Sequence, residues 1–468
     1  MTVGRACLVT ALLVALATTA ACTAEPSGSP TEAPQTSSAP PATPAPSAAE
    51  PTSTTPLVVA LHPTRSLDLS APEVAALRDG EVTDWSELGA DPAVLRTGSL
   101  DEVQSDRDVL AVVPAHEVQP PLTVATVEGV DPLRDPSAYA VTTDGPAPPT
   151  VTTVTVTGDV MLGRRVGVHL AAVDDPAAVL RPLARRLAGA DLTIGNLEST
   201  LSRAGAPRQG GDSFAAAPGV RSGLELAGFD VLSLANNHTG DFGPQALVET
   251  VRRVRAGGFV PVGAGSDLTG AARPAIVERN GVRFGVVAFD AIGETPAATP
   301  DRPGALRVRM QPRTGPLVRA DLDRVTDVVR DLRSRVDVVL VLPHWGTQYT
   351  TRTVRDQRVV ARALARAGAD VVVGGHPHWV QGMESVGDSL VAYSLGNFVF
   401  DMDFSRETQE GAVLELTFWG SELKNARMVP VVIGPDFAPR VADGPRGRQI
   451  RDRVWDASGP PLRGTHAG

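Results

Sequence analysis

Cysteine is almost absent from this sequence: of 468 residues, only Cys7 and Cys22 are cysteine. That excludes a disulfide-stapled scaffold. Lysine is scarcer still, with Lys424 alone, so the basic charge is carried by arginine. Positive charge is also outweighed. A net charge of −10 and a pI near 5.4 exclude a general affinity for nucleic acid. An anionic ligand would need positive charge concentrated locally. Beyond the first residues, no apolar run approaches the about 20 residues that span a bilayer.

What is present begins with a leader. Arg5 precedes an apolar stretch from Leu8 to Ala17, and Thr19-Ala20-Ala21 forms a small-residue cleavage site before Cys22. This stretch resembles the lipobox of bacterial lipoproteins, with Thr19 where Leu is usual. Cleavage would leave Cys22 as the single cysteine, at the first position. Lipid attachment there, and an extracytoplasmic, membrane-anchored location, are the expectation. Residues 23–55 are almost all Ser, Thr, Pro, Ala and Glu and read as a semi-extended tether.

The remainder is long enough for two domains. Residues 56–147 carry strand patterns at Leu57–Leu61 and Val109–Val113, with a helix start at Ser70 and its capping partner Glu73. The run Gly80 to Gly89 around Trp85 resembles an element of phosphate-type periplasmic binding proteins. It implies a partial, single-lobed accessory domain. After a Gly/Pro-rich join, residues 151–435 alternate strand-like and helical runs, the pattern of an α/β sheet with helices on both faces. Helices are expected over 220–228, 243–257, 317–333 and 354–368, and a closing strand pair over 412–419 and 427–433. Residues 436–468 read as a weakly ordered tail with one short helix near 446–454.

Six short segments place a carboxylate, amide or imidazole beside a strand-like run: Asp159, Asn196 with Glu198, Asn236-Asn237-His238, His344, His376-Pro377-His378, and Asn397. An α/β sheet gathers functional groups at the carboxyl ends of its strands. Singly, each piece has an ordinary explanation. Asp159 could cap a helix, Glu198 could lie on the surface, and His344 could pack beside Trp345. Jointly they form an oxygen and nitrogen donor set suited to divalent metals, and paired metals serve phosphate hydrolysis. Arg164 and Arg165 are candidate anion contacts or a solvated pair. Arg355, Arg358, Arg362 and Arg366 have the spacing of a solvated helix face.

From Thr157 to about Ile433 these strings closely resemble the CapA family of capsule and poly-γ-glutamate biosynthesis proteins. They are Gly158-Asp159-Val160-Met161-Leu162-Gly163-Arg164, Asn196-Leu197-Glu198, Ala235-Asn236-Asn237-His238, His344-Trp345-Gly346, His376-Pro377-His378 and Tyr393-Ser394-Leu395-Gly396-Asn397-Phe398. The family resembles a branch of the calcineurin-type metallophosphoesterases. That implies a four-layer α/β/β/α sandwich with a smaller α/β accessory domain. It also implies two divalent transition ions (Mn, Fe or Zn). In these terms Asp159 and His378 would bind the first metal and Glu198 would bridge. Asn237, His344 and His376 would bind the second. His238 would act catalytically, as an acid or a phosphate-orienting group, and Arg164, Arg165 and Asn397 would contact substrate. The superfamily's first-motif His is Met161 here, which leaves the first site a ligand short. Gln348 and Gly375 stand where the branch usually has an acidic residue and a His. The implied role is making, exporting or anchoring an anionic polymer, with membrane proteins of capsule synthesis as partners. The alternatives are a phosphoesterase acting on a cell-envelope phosphate ester and a non-catalytic anion-binding protein.

Overall fold

The computed structural model describes residues 53–459. Its larger part is a sandwich of two facing sheets, each covered by helices. Strands β1 (Val151–Val160), β2 (Leu192–Leu197), β3 (Val231–Ser233) and β4 (Val260–Val262) run parallel. Helices α1 (Arg164–Ala172), α2 (Arg181–Leu187), α3 (Arg221–Leu226) and α4 (Gly243–Ala256) lie between them in sequence. The chain then crosses to a second sheet through β5 (Ala275–Arg279), β6 (Val282–Asp290), α5 (Arg319–Arg333), β7 (Val338–His344), α6 (Arg355–Ala367), β8 (Val371–Val373), β9 (Met383–Val386) and β10 (Ser389–Ala392). It returns to the first sheet as β11 (Asn397–Val399), β12 (Glu410–Trp419), β13 (Glu422–Ile433) and β14 (Pro439–Val441), and α7 (Gly444–Ala457) follows. The first sheet has the order β4-β3-β2-β1-β12-β13-β14, with β11 beside the end of β1; the second has the order β5-β6-β7-β8-β10-β9.

Apolar periodicity explains the layers. Val154, Ile194 and Val231 of the first sheet meet Phe284, Leu340 and Val371 of the second. Leu322, Val325, Val329 and Leu332 recur along α5 at three- and four-residue spacing and cover the second sheet's outer face. Leu247, Val251 and Val254 of α4 do the same for the first. The four-layer α/β/β/α arrangement expected from the sequence is thus present.

Two expectations differ from what is found. The helix expected over 220–228 is only Arg221–Leu226, because Gly228 turns left-handed at φ 70°. The segment after 435 is no loose tail through residue 459. β14 extends the first sheet, and α7 buries Ile450 and Val454 in the core between the sheets. Pro445 starts that helix where its missing N–H costs nothing.

Residues 53–147 build a smaller sheet. Thr54–Leu61 pairs antiparallel with Val109–Pro114, Ala60 opposite Ala111. The Ser70–Glu73 capping box opens the helix Ala71–Arg78, and Trp85 is fully buried. This region packs on the sandwich. Trp419, at the end of β12, joins its apolar cluster and donates from Nε1 to Leu133 O at 2.8 Å. Lys424 Nζ donates to His116 O at 2.8 Å, and Arg107 pairs with Asp452 of α7 at 2.7 Å.

Candidate metal centre

The strand register brings the motifs together. Asp159 lies opposite Asn196 on β2 and opposite Asn397 on β11, so three strands of the first sheet meet here. From the second sheet come His344, the last residue of β7, and the loop after β8 with His376 and His378. Close approach of the backbone is required. A Cβ on Gly158 would stand 2.2 Å from Gly396 O, and one on Gly375 would stand 2.5 Å from Asp159 Oδ1. A side chain at 375 would therefore invade the site. His376 and His378 sit at φ 95° and 57°, a left-handed backbone that costs energy and is held by the surrounding packing.

Asp159, Glu198, Asn237, His238, His344, His376, His378 and Asn397 are all buried. Donor atoms of Asp159, Glu198 and His378 lie within 4.8 Å of one another and could hold a metal ion. His344 Nε2 is 3.0 Å from Asn237 Oδ1 and 3.8 Å from Glu198 Oε1. His378 Nδ1 is 3.8 Å from Asp159 Oδ2 and 2.9 Å from Asn397 Oδ1. The rings of His344 and His376 are 5.0 Å apart. Two ring nitrogens of His376 and Glu198 Oε1 are buried with no hydrogen-bond partner. Such groups are expensive to leave unpaired, and a cation would take the lone pair of one His376 nitrogen and of Glu198 Oε1.

Electrostatics point the same way. Burial pushes the Asp159 carboxyl up to about 6, against the hydrogen bond from Asn196. Burial, then the nearby Asp159 charge, drives Glu198 well above the carboxylate range. Burial holds His344 and His376 well below the usual imidazole range, and brings His378 down to about 3. Neutral imidazoles keep their lone pairs for a metal, and a cation would restore charge to the carboxylates.

His238 differs from the other imidazoles. Its Nδ1 faces Asp241 Oδ2 at 2.8 Å, its ring stacks on Phe214 at 3.6 Å, and its Nε2 lies 3.9 Å from Glu198 Oε1. The Asp241 carboxylate accepts from Nδ1–H and leaves Nε2 on the Glu198 side. Met161 offers no ligand. It is fully buried, and its Sδ accepts from the Gly163 N–H at 3.1 Å.

The two arginines are neutralised locally. Arg164 pairs with Asp401 and Asp212 and lies 4.4 Å over the Phe214 ring. Arg165 points outward and pairs with Asp403 at 2.9 Å. Cys22 lies outside the described residues. Asn196 was not assigned a role from sequence, yet its Nδ2 donates to Asp159 Oδ1 at 2.8 Å and its Oδ1 accepts from Asn236 at 2.9 Å. Its place two residues before Glu198 on a strand end was the available signal. Asp241, three residues past His238, carried a similar one.

The family model described as bacterial capsule synthesis protein PGA_cap matches residues 153–402, more than half of the chain. The capsule biosynthesis protein CapA of Bacillus anthracis is 32% identical over 270 residues, 56% of this chain and 63% of that one. The PGA biosynthesis protein CapA of Bacillus subtilis (strain 168) is 30% identical over 264 residues, 55% of this chain and 65% of that one. The chain thus spans less than two thirds of the length of these relatives. Among solved structures, a 5'-nucleotidase from Candida albicans SC5314 aligns at 12% identity and TM-score 0.36, covering 65% of this chain and 57% of that one.

Proposed function

Because the chain belongs to the PGA_cap family of bacterial capsule synthesis proteins, we propose that it works in the biosynthesis, export or anchoring of an anionic capsule polymer such as poly-γ-glutamate. We place a metal-dependent hydrolytic centre in the cavity. The observation that carries this reading is the His376 ring: both nitrogens are buried and unpartnered, as is Glu198 Oε1, and the ring lies 5.0 Å from that of His344, which is 3.8 Å from that oxygen. A structural histidine would bond at least one nitrogen.

His344, His376, Asn237 and Glu198 would hold one cation, and Asp159, His378 and Glu198 a second. His344 Nε2 and Asn237 Oδ1 already stand 3.0 Å apart. Bound there, divalent cations would polarise a phosphoryl or carbonyl oxygen and offset developing negative charge. His238 would hold or pass the proton at Nε2, oriented by Asp241 and by the Phe214 face. Asn397 would fix the His378 ring through Nδ1. Arg164 would present the anion-facing edge of the site, kept in place by Asp401. A phosphate ester of the cell envelope is the second substrate class, favoured by the His238–Asp241 pair. Lipid attachment at Cys22 would hold the protein at the membrane, beside the proteins that make the polymer.

The test is elemental analysis of the purified, dialysed chain, followed by assay on poly-γ-glutamate and a phosphoester panel. Retained Mn, Fe or Zn, with turnover of either substrate class lost on chelation, is the expected result. A folded chain that retains none of these metals and turns over nothing when resupplied would leave only anion binding.

A further inference from the structure

A second cavity, of about 240 Å³, opens at the seam between residues 53–147 and the sandwich. It lies among different residues from the metal centre. Its wall carries four arginines, Arg65, Arg186, Arg427 and Arg451, against one carboxylate, Asp443. Three of the four are already matched. Arg65 pairs with Asp108 at 2.5 Å, while Arg186 and Arg427 share Glu415 at 2.6 and 3.2 Å.

Arg451 is different. It projects from α7, its Nε is buried without a partner, and no carboxylate of the described residues comes within ion-pair distance. Desolvation holds its pKa below the usual arginine range. The guanidinium is half-buried, and Asp443 and Asp452 act on it only from beyond ion-pair distance, so the position is one that an anion would complete. Met383, Met428, Val454 and Trp455 give the same space apolar surface, beside the hydroxyl residues Thr64, Ser66, Thr123, Thr126 and Ser458. Methionines give such a wall adaptability of shape. The space is far more than one water needs and has room for a short alkyl body.

We infer that this seam cavity binds a small amphipathic anion, with a carboxylate or phosphate head on Arg451 and an apolar body against Met383, Met428 and Trp455. The two regions of the chain both line the cavity, so an occupant would also fasten them together.

Calorimetric titration of the full chain with octanoate, octanol and inorganic phosphate tests this. Octanoate should bind saturably, and octanol and phosphate each at least about tenfold more weakly. Arg451→Gln should weaken octanoate by about tenfold or more, and Met428→Trp, which fills the cavity and keeps the charge, should abolish it. His376→Ala should leave it unchanged. If Arg451→Gln fails to fold, Met428→Trp decides. The inference is overturned if wild type does not bind octanoate, if phosphate binds as well as octanoate, or if Met428→Trp or a folded Arg451→Gln binds like wild type.

Discussion

At the scale of single residues, the cavity is asymmetric. The group around His344 and His376 has two imidazoles, an amide and a carboxylate, whereas the group around Asp159 has His378 and a shared Glu198, with Met161 turned into the core. Ligand number sets affinity, and neighbouring side chains cannot move to replace a lost imidazole. His344→Ala should therefore leave no metal bound at stoichiometric supply, while Asp159→Ala should keep about one ion per chain by elemental analysis. Stripping by Asp159→Ala alone would reverse the ranking. Much of this cavity was legible in the sequence because each of its groups sits at a strand end. The role of Asn196 was not, because its bonds to Asp159 and Asn236 depend on strand pairing that its own segment does not show. The pairing of Arg164 with Asp401 was also hidden, since 237 positions separate them.

At the scale of elements, α7 shows how composition misleads. Arginine, glycine and proline dominate its sequence, yet Ile450 and Val454, four apart, form one buried stripe. Two buried apolar residues in a polar run give a weak period: a short helix near 446–454 was expected, but its length and burial against the core were not. Elsewhere the period was strong, and α4, α5 and α6 fall within a few residues of their expected limits. The α7 surface also meets His62, which is 2% exposed and lies edge-on to Trp455 at 4.3 Å. Burial, then Arg107 and Arg65, lowers the His62 pKa from 6.5 to about 3. A folded pKa below the unfolded one means that the unfolded chain binds the extra proton. The stabilisation is complete above pH 6.5 and is lost as pH falls from there toward 3. Each unit in that window costs up to about 1.4 kcal/mol. Thermal unfolding at pH 7 and pH 5 should show wild type losing more stability than His62→Gln. Equal losses would mean that His62 does not titrate between the states.

At the scale of the whole molecule, two regions meet without sharing the metal ligands. All the proposed ligands lie between 159 and 378, and residues 53–147 supply none. A chain beginning at residue 148 should still bind metal. It should melt at lower temperature than the longer chain, because Trp419 would lose its cover and the Leu133 carbonyl. Loss of metal in a folded truncation would show that the seam shapes the site. Among the described residues no helix is long and apolar enough to cross a membrane, and the proposed anchor is Cys22. Cys22→Ala should move the protein from the membrane fraction to the soluble one, and unchanged sedimentation would rule the anchor out. The sandwich was legible from strand and helix alternation. The seam was not, since it depends on contacts such as Trp419 with Leu133, 286 positions apart.

Lys424 gives the seam one more property. It is the single lysine of the chain, and its side chain is 1% exposed, with Nζ on the His116 carbonyl and Glu422. The folded protein therefore shows no lysine amine to an acylating reagent. Any acylation of Lys424 must await separation of the two regions, so the rate of labelling at that one position is a clock for how often they part.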